Sequence, residues 1–392
     1  MSIFNMELEQ LSKLNATYTA TEINQQPATW LKTINQIKEM KEEIKKFVDQ
    51  VLLDDDYDII FTGAGTSEFV GNSLFSQVNV KHNYRVHSYA STDITAMPKN
   101  YISPNKKTLL ISFGRSGNSP ESIGAVESSE AVSDKIYNLF ITCNSDGALS
   151  KMAKTKENCF AINLTSETHD LSFAMTSSFT NMYLSAYLAL NLDNLDEISK
   201  SFETSINSAL EINKDGFNYF KQLTDSYDYS RIVYLGSNVL KGIAQESALK
   251  MLELTAGKVV TLYDTALGFR HGPKSIVNNE TLTVIYLSDD NYTRKYEIDL
   301  VAEMSLQRKG NKLLVVCNTP SEKAKELADF YYCLNGTAKN NIELGPVFVV
   351  CAQLLALFKS LSLNLTPDNP WPTGEVNRVV KGVTLYPYAE EN

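Results

Sequence analysis

The sequence predicts an α/β protein in which a parallel, doubly wound sheet occurs in two tandem copies. After residue 56, strand-like and helix-like segments alternate, and such alternation favours a parallel sheet. The chain also matches itself over a long offset, in the segment pairs 57–63 with 230–236, 140–144 with 314–318, and 188–192 with 361–365. Three matches in the same order, 173 or 174 positions apart, indicate duplication of a whole domain.

The elements follow in order along the chain. Residues 1–50 carry Leu, Ile and Val at helical spacing among Glu and Lys, which predicts helices. Predicted strands lie at 57–62, 85–89, 108–113 and 136–142, and 170–192 is predicted to be a long apolar helix. We therefore expect an N-terminal helical segment (1–50), a first domain (51–200), a second domain (215–365) and a C-terminal tail (366–392).

Composition excludes several classes of protein. Of the 392 residues, 43% are hydrophobic and 21% are charged, as in a soluble globular protein. The net charge of −10 argues against extensive nucleic-acid contact, which needs a basic surface. The longest apolar run, 347–358, is shorter than the roughly 20 residues that cross a bilayer, so we expect no membrane association.

Cysteine and histidine usage points to the cytoplasm and to a protein without metal. The five cysteines form no CxxC pair, and the N-terminus lacks a signal peptide, so we expect a reduced, cytoplasmic setting. None of the four histidines has metal-ligand spacing, so no metal is predicted. A dinucleotide fingerprint is missing as well, because Glu68 stands where its last glycine would be; no cofactor is expected.

The segment 114–119, Gly-Arg-Ser-Gly-Asn-Ser, is typical of a phosphate-binding loop. It lies between a predicted strand and a predicted helix, where backbone N–H groups and the helix dipole favour an anion. Ser116 and Ser119 can add hydroxyl donors. The corresponding segment of the second copy, 287–292, is Leu-Ser-Asp-Asp-Asn-Tyr and would repel phosphate. The first copy is therefore predicted to bind the anion.

A second loop, 63–67, reads Gly-Ala-Gly-Thr-Ser and ends the first predicted strand. Gly65, Thr66 and Ser67 lie at the carboxyl end of that strand, where open α/β sheets bind ligands. A glycine-rich turn with a hydroxyl helix cap would give the same pattern. Two such loops in one sheet favour a binding site.

The second copy carries candidate residues for chemistry. Glu246, Lys250 and Glu253 are spaced four and three apart on a predicted helix, so they share one face. They are either a surface ion-pair stripe or a general base with a nearby ammonium group. His271 lies in a turn, where an imidazole could transfer protons near neutral pH. Lys381 lies in the tail and would by itself be an ordinary surface lysine.

Together these motifs resemble the sugar isomerase (SIS) domain proteins, which carry two such domains in tandem. The chain resembles the isomerase half of glucosamine-6-phosphate synthase, and more closely the bacterial galactosamine-6-phosphate deaminase/isomerases, also called tagatose-6-phosphate ketose/aldose isomerases. The resemblance covers nearly the whole chain, including 246–253, 271–273 and 369–381. It implies two flavodoxin-like, three-layer α/β/α domains.

The resemblance also implies roles for individual residues. Gly65, Thr66, Ser67, Arg115, Ser116 and Ser119 would hold the sugar phosphate, although the synthase has serine and glutamine where this chain has Gly114 and Arg115. Glu253 would be the acid/base glutamate, with Lys250 and Glu246 on the same helix. His271 would open the sugar ring and, as in the synthase, come from a neighbouring subunit. Lys381 would meet the open-chain carbonyl. A homodimer or higher homo-oligomer is therefore expected.

The implied activity is conversion of a hexosamine 6-phosphate, D-galactosamine 6-phosphate in the favoured interpretation, to tagatose 6-phosphate and ammonia. The first 50 residues leave no room for a glutaminase, which favours the ammonia-releasing direction. Three alternatives stay open: a plain hexose 6-phosphate isomerase, a fructosamine-6-phosphate deglycase, and a non-catalytic sugar-phosphate sensor. The sequence does not decide the C4 epimer of the substrate.

Overall fold

Two compact units make up the part of the chain that the structure, a computed structural model, describes: residues 2–334, 336, 340–378, 380 and 382–388. The first-sheet unit contains Ala28–Asp170, Ser177–Asp196 and the described residues from Glu375 onward. The second-sheet unit contains the described residues up to Pro27, Leu171–Thr176 and the described residues of Glu197–Gly374. Neither unit is continuous in sequence, because the chain crosses from one to the other several times.

A short hairpin and four helices come before the sheets. They are β1 (Ser2–Ile3), β2 (Met6–Glu7), α1 (Leu8–Lys13), α2 (Thr17–Asn24), α3 (Gln26–Glu39) and α4 (Lys41–Leu52). Helix α4 buries Ile44, Phe47, Val48 and Val51, which recur at the three- and four-residue spacing of one helix face. That face belongs to the core of the first-sheet unit, since Phe47 stacks on Phe160 with ring centroids 5.5 Å apart.

The first sheet alternates with helices, as the sequence predicts. Its elements are β3 (Tyr57–Gly63), α5 (Thr66–Lys81), β4 (Val86–Ala90), α6 (Ser91–Ala96), β5 (Lys107–Gly114), α7 (Pro120–Val132), β6 (Ile136–Thr142), α8 (Ala148–Ala153), β7 (Cys159–Asn163) and α9 (Ser177–Ala189). All five strands are parallel in the order β4-β3-β5-β6-β7. Every residue of β3 is buried, which requires helices on both faces of the sheet.

The second sheet repeats this architecture. The remaining elements are α10 (Leu195–Glu211), α11 (Phe217–Ser226), β8 (Arg231–Leu235), α12 (Val239–Leu254), β9 (Val260–Asp264), β10 (Thr281–Tyr286), α13 (Asn291–Leu306), β11 (Lys312–Cys317), α14 (Glu322–Leu327), β12 (Phe330–Cys333) and α15 (Asn341–Ser362). The strand order is β12-β11-β10-β8-β9, again parallel. Numbered within each unit, both sheets have the flavodoxin-like order 2-1-3-4-5. The predicted fold class is confirmed.

The predicted helix 170–192 is shorter than expected. Helix α9 begins at Ser177, and residues 170–176 form a loop that contains bends but no helix. The buried carboxylate of Asp170 accepts hydrogen bonds from the backbone N–H groups of Ser177 (3.2 Å) and Ser178 (2.8 Å). These bonds cap the helix there, because a carboxylate satisfies N–H groups that have no partner in the first turn.

Helix α15 is long and apolar enough to cross a membrane by length and composition alone. It is almost entirely buried in the second-sheet unit, where it packs against α11 and α12. A buried core helix passes the same test of length and apolarity as a membrane span. No disulfide joins the five cysteines, all of which lie in the described part of the chain.

Candidate active site

The two glycine-rich loops of the first-sheet unit lie side by side. Strands β3 and β5 are neighbours, and the strand order reverses between them. The loop 63–67 follows β3 and the loop 114–119 follows β5, so both extend from the carboxyl edge of the sheet at this reversal. Open α/β sheets bind ligands at this position. We call the segment 114–119 the phosphate loop.

The loop after β3 depends on two glycines for different reasons. A Cβ atom on Gly63 would lie 2.5 Å from the backbone carbon of Ser67, so only glycine lets α5 begin this close to the strand. Gly65 has φ +55°, a left-handed conformation in which glycine is favoured. Thr66 and Ser67 start α5 and are both buried, with their backbone N–H groups at the positive end of the helix dipole.

The same turn occurs in the second-sheet unit. Asn238, 173 positions after Gly65, precedes α12 with φ 54° and ψ −121°, against 55° and −128° at Gly65. With ψ far from the left-handed helical value, this conformation is strained for any residue that has a side chain, asparagine included. The two copies therefore share backbone geometry at a turn where their sequences differ.

The phosphate loop is braced by the loop that follows β6. The side-chain amide of Asn144 donates to the carbonyl oxygen of Ser116 at 2.9 Å, and the backbone N–H of Leu149 donates to the carbonyl oxygen of Gly117 at 3.1 Å. The backbone N–H of Asn118 donates to Ser116 Oγ at 3.2 Å. Ser116 and Ser119 are half-buried. These contacts preorganise the loop before a ligand arrives.

Ser122 is a site residue that the sequence reasoning missed. Its Oγ lies 2.6 Å from Ser119 Oγ, on the first turn of α7. A serine three positions into a helix that follows a phosphate loop is the signal that could have identified it. The pair places two hydroxyl groups at the start of α7, where the helix dipole also favours an anion.

Arg115 is the least exposed side chain among the predicted phosphate ligands of that loop. The residue is 6% exposed, and its Nη2 donates to the backbone carbonyl oxygen of Arg378 at 2.8 Å. Nearby, His169 is half-buried, and its pKa is lowered by burial first and by the positive charges of Arg378 and Arg115 second. Arg115 and Arg378 thus lie close enough to His169 for both positive charges to disfavour a charged imidazole.

The three candidate residues of α12 are shielded from solvent, completely at Glu246 and Lys250 and for the most part at Glu253, which rules out a surface stripe. Glu246 and Lys250 are 0% exposed, and the Glu253 side chain is 23% exposed. Lys250 Nζ lies 3.4 Å from Glu246 Oε1 and donates a hydrogen bond to Glu253 Oε2. Burial of a charge is expensive unless it is paired, so the ammonium group holds both carboxylates in place.

His271 lies exposed in a loop of the second-sheet unit whose neighbours are anchored. Arg270 Nε donates to Glu303 Oε2 at 2.7 Å, and Lys274 Nζ also donates to Glu303. Gly272 has φ +119°, which favours glycine immediately after the histidine. The imidazole is thus exposed, in a loop whose flanking residues are tied to Glu303. Lys381 lies outside the described residues.

Among the described residues, no group of three or more His, Cys, Asp or Glu side chains is arranged to hold a metal ion. The first-sheet unit thus carries candidate hydroxyl and backbone N–H donors, and the second-sheet unit carries paired carboxylates, an ammonium group and an imidazole. Such groups can bind a phosphate and transfer protons.

The chain belongs to the SIS domain family, whose model matches residues 52–192 and 227–360. The chain is 41% identical over 390 residues to the D-galactosamine-6-phosphate deaminase of Shewanella sp. (strain ANA-3), covering 98% of this chain and 96% of that protein. The predicted family resemblance is confirmed.

Two solved structures extend the likeness to three dimensions. A protein of Clostridium novyi NT described as a tagatose-6-phosphate ketose/aldose isomerase superposes with a TM-score of 0.96 at 41% identity, covering 99% of this chain and 100% of that one. The tagatose-6-phosphate ketose/aldose isomerase of Escherichia coli gives a TM-score of 0.88 at 36% identity, covering 95% and 97%.

Proposed function

We propose that this protein converts D-galactosamine 6-phosphate and water to tagatose 6-phosphate and ammonia. The observation that carries this proposal is the buried Glu246–Lys250–Glu253 cluster on α12, in a chain 41% identical to a D-galactosamine-6-phosphate deaminase. The Glu253 carboxylate is partly exposed and is bonded to a buried ammonium group, which suits the abstraction of a proton next to a carbonyl.

We propose that the phosphate group binds to the two glycine-rich loops. Backbone N–H groups of Gly65 and Thr66 and the hydroxyl groups of Ser67, Ser116 and Ser119 would donate to its oxygens. Support comes from the position of both loops at the strand-order reversal of the first sheet. The phosphate contributes binding energy away from the reacting carbons, which can be used to orient them.

The reaction then proceeds by proton transfers. His271 moves the proton needed to open the sugar ring, and Glu253 removes the C2 proton of the open-chain aldehyde. The C2–H electron pair forms the C1–C2 double bond of an enolamine, while Lys250 stabilises the charge that develops on the C1 oxygen. Return of a proton to C1 gives a ketimine at C2. Water adds to the ketimine carbon and the C–N bond breaks, releasing ammonia and the ketose.

Two further residues are assigned from their match to the family. Glu246 is proposed to hold the ammonium group of Lys250 in position, which its contact at 3.4 Å supports. Lys381 is proposed to meet the open-chain carbonyl; it lies outside the described residues. A single substitution at each position tests its assignment.

We also propose a cytoplasmic homodimer or larger homo-oligomer in which His271 serves a neighbouring subunit. Strand β9 is an edge of the second sheet, and Val260 and Tyr263 on it are 52% and 36% exposed. Leu252 and Leu267 are exposed by 40% and 47%. Exposed apolar side chains along a sheet edge favour an interface with another chain, and the exposed position of His271 fits donation across it.

The test is ammonia release from a panel of hexosamine 6-phosphates, including the galactosamine and glucosamine epimers. We expect ammonia and tagatose 6-phosphate from the galactosamine compound, at a rate proportional to enzyme concentration. The same preparation should be assayed for interconversion of hexose 6-phosphates without nitrogen.

A hexose 6-phosphate isomerase is the second candidate, favoured by the description of the Escherichia coli structure as a ketose/aldose isomerase. The same base could move a proton between C1 and C2 of a nitrogen-free aldose. Isomerisation without ammonia release from any hexosamine 6-phosphate would establish this second activity and reject the first.

A further inference from the structure

The C-terminal segment is attached to the phosphate loop through Arg115. The guanidinium group of this buried residue donates from Nη2 to the carbonyl oxygen of Arg378 at 2.8 Å. The two residues are 263 positions apart in sequence, and both belong to the first-sheet unit. At least one of the donors that a guanidinium could offer to a phosphate is therefore engaged with the backbone of the C-terminal segment.

Arg378 is held a second time, through its own side chain. Its Nη2 donates to the backbone carbonyl oxygen of Asp170. Asp170 is itself fixed, because its 1% exposed carboxylate accepts hydrogen bonds from the first turn of α9. Arg378 is thus fastened through its backbone to the phosphate loop and through its side chain to the loop before α9.

The segment has a third contact further along. A Cβ atom built on Gly124 would lie 2.9 Å from Leu385 Cδ2, so the leucine side chain packs directly on the glycine. Gly124 is in α7, the helix that begins immediately after the phosphate loop. The segment is therefore attached at Arg378 and at Leu385, and both attachments lead to the phosphate loop or to its helix.

We propose that Arg115 is a positioning residue that fastens the C-terminal segment to the phosphate loop, and that it is not a direct ligand of the phosphate. Position 381 lies between the two attachments in sequence, so the fastening would set where Lys381 meets the substrate. The role of Lys381 rests on the proposed function, whereas the fastening does not. A lost attachment would slow the chemistry more than it weakens phosphate binding, because misplacing a catalytic group by about 1 Å can cost on the order of 100-fold in rate.

The fastening is tested by limited trypsin digestion of the full chain. Trypsin cleaves after Arg378 and Lys381, and its rate follows the population of the opened segment. We expect Arg115→Met to be cut in this segment at least about tenfold faster than the wild-type protein. Lys151→Met removes the same charge from an exposed position in the same unit and should be cut at the wild-type rate. Equal rates for the Arg115 variant and the wild type would reject the fastening.

The second measurement separates positioning from phosphate ligation. Arg115→Met is expected to lower kcat at least about tenfold while the Kd for inorganic phosphate, measured by calorimetry, changes less than about threefold. The double variant Arg115→Met/Lys381→Met should be no slower than Lys381→Met alone, because Arg115 is proposed to act on the reaction only by positioning Lys381. Phosphate binding weakened about tenfold or more, with additive losses in kcat, would make Arg115 a direct ligand and overturn the proposal.

The two proposals can fail independently. If the wild-type protein releases no ammonia from any hexosamine 6-phosphate, the proposed function fails, and the trypsin arm still decides whether Arg115 fastens the segment. Arg115→Lys adds a check on the chemistry: it keeps the charge but replaces the planar fork with a single ammonium group. We expect it to bind phosphate like the wild-type protein and to recover protease resistance only in part; full recovery of protease resistance would show that charge alone suffices.

Discussion

Glu297 is a buried carboxyl group whose ionisation couples the second-sheet unit to pH. The side chain is 0% exposed and belongs to α13. Burial raises its pKa to about 7, against the lowering effects of hydrogen bonds from the Ser288 backbone N–H and the Ser237 side chain. Its Oε2 accepts the Ser288 bond at 2.7 Å. The charged form is therefore disfavoured in the folded chain relative to the unfolded chain.

Because the pKa of Glu297 is higher in the folded chain than in the unfolded chain, this group stabilises the fold at pH values below its unfolded pKa of 4.5. The stabilisation is lost as the pH rises through about 7. Glu297→Gln keeps an acceptor for the Ser288 N–H but cannot ionise. We expect it to unfold at the same temperature as the wild type at pH 5 and to be more stable at pH 8, by up to about 3 kcal/mol. Differential scanning calorimetry at both pH values measures this. An advantage for the variant that is as large at pH 5 as at pH 8 would contradict the prediction.

At the residue scale, some features of the site could be predicted from the sequence and others could not. The phosphate loop was predictable because glycines and hydroxyl residues between a strand and a helix are a local signal. The Arg115–Arg378 contact was not, because it joins a side chain to a backbone carbonyl 263 residues away. Burial of Glu246 and Lys250 was equally hidden, since the same spacing would suit an exposed ion-pair stripe.

At the scale of elements, each sheet has a helix that packs against its first strand at a glycine. A Cβ atom on Gly63 would lie 2.5 Å from the Ser67 backbone, and one on Gly236 would lie 2.2 Å from the Leu240 carbonyl oxygen. The positions are 173 residues apart, so both copies retain the same close approach of strand and helix. A methyl group at either position must push the helix away.

We expect Gly63→Ala and Gly236→Ala to lower the free energy of unfolding by similar amounts, about 1–3 kcal/mol. Only Gly63→Ala should also weaken inorganic phosphate binding, because α5 supplies the N–H groups of the proposed site. Chemical denaturation gives the stability change, and calorimetric titration of the folded variants gives the affinity. Gly236→Ala acts as the matched control. Weaker phosphate binding in that variant would place the anion elsewhere.

Element types and their order were largely predictable from local patterns, whereas the topology was predictable only through the family resemblance. The alternation of strands and helices fixes a parallel sheet, but no local pattern distinguishes the order 2-1-3-4-5 from other orders. The start of α9 also escaped prediction. Apolar residues continue the helical pattern back to position 171, but the Asp170 carboxylate caps the helix at Ser177 and Ser178. A side chain that bonds to nearby backbone competes with the helix, and periodicity does not register this.

At the scale of the whole molecule, the proposed donation of His271 across subunits has a sharp consequence. Glu253→Gln and His271→Asn should each lose at least about 100-fold in kcat as homo-oligomers, since each removes a proton-transfer group. Co-expressed with two different affinity tags and purified through both, mixed dimers should recover about half of wild-type activity, because one of the two sites then combines both native residues.

Exposed Glu203→Gln, in α10 of the same unit, is the control partner: mixed with either inactive variant it should give about half of wild-type activity, because one of the two sites keeps both native residues. Native mass spectrometry confirms the composition of the mixed species. Mixed dimers that stay inactive would mean that His271 serves its own subunit. A monomeric wild-type protein at assay concentration would reject the proposed oligomer itself.

The attachment of Arg378 to the phosphate loop also orders events during biosynthesis. Ribosomes add about 5–20 residues per second, so the first sheet is complete about 10–40 s before the segment from Glu375 onward has been made. During that interval Arg115 has no Arg378 carbonyl to bind, and Gly124 has no leucine packed on it. A nascent chain thus has a phosphate loop without its fastening, and it acquires the finished loop only after Arg378 and Leu385 have been made.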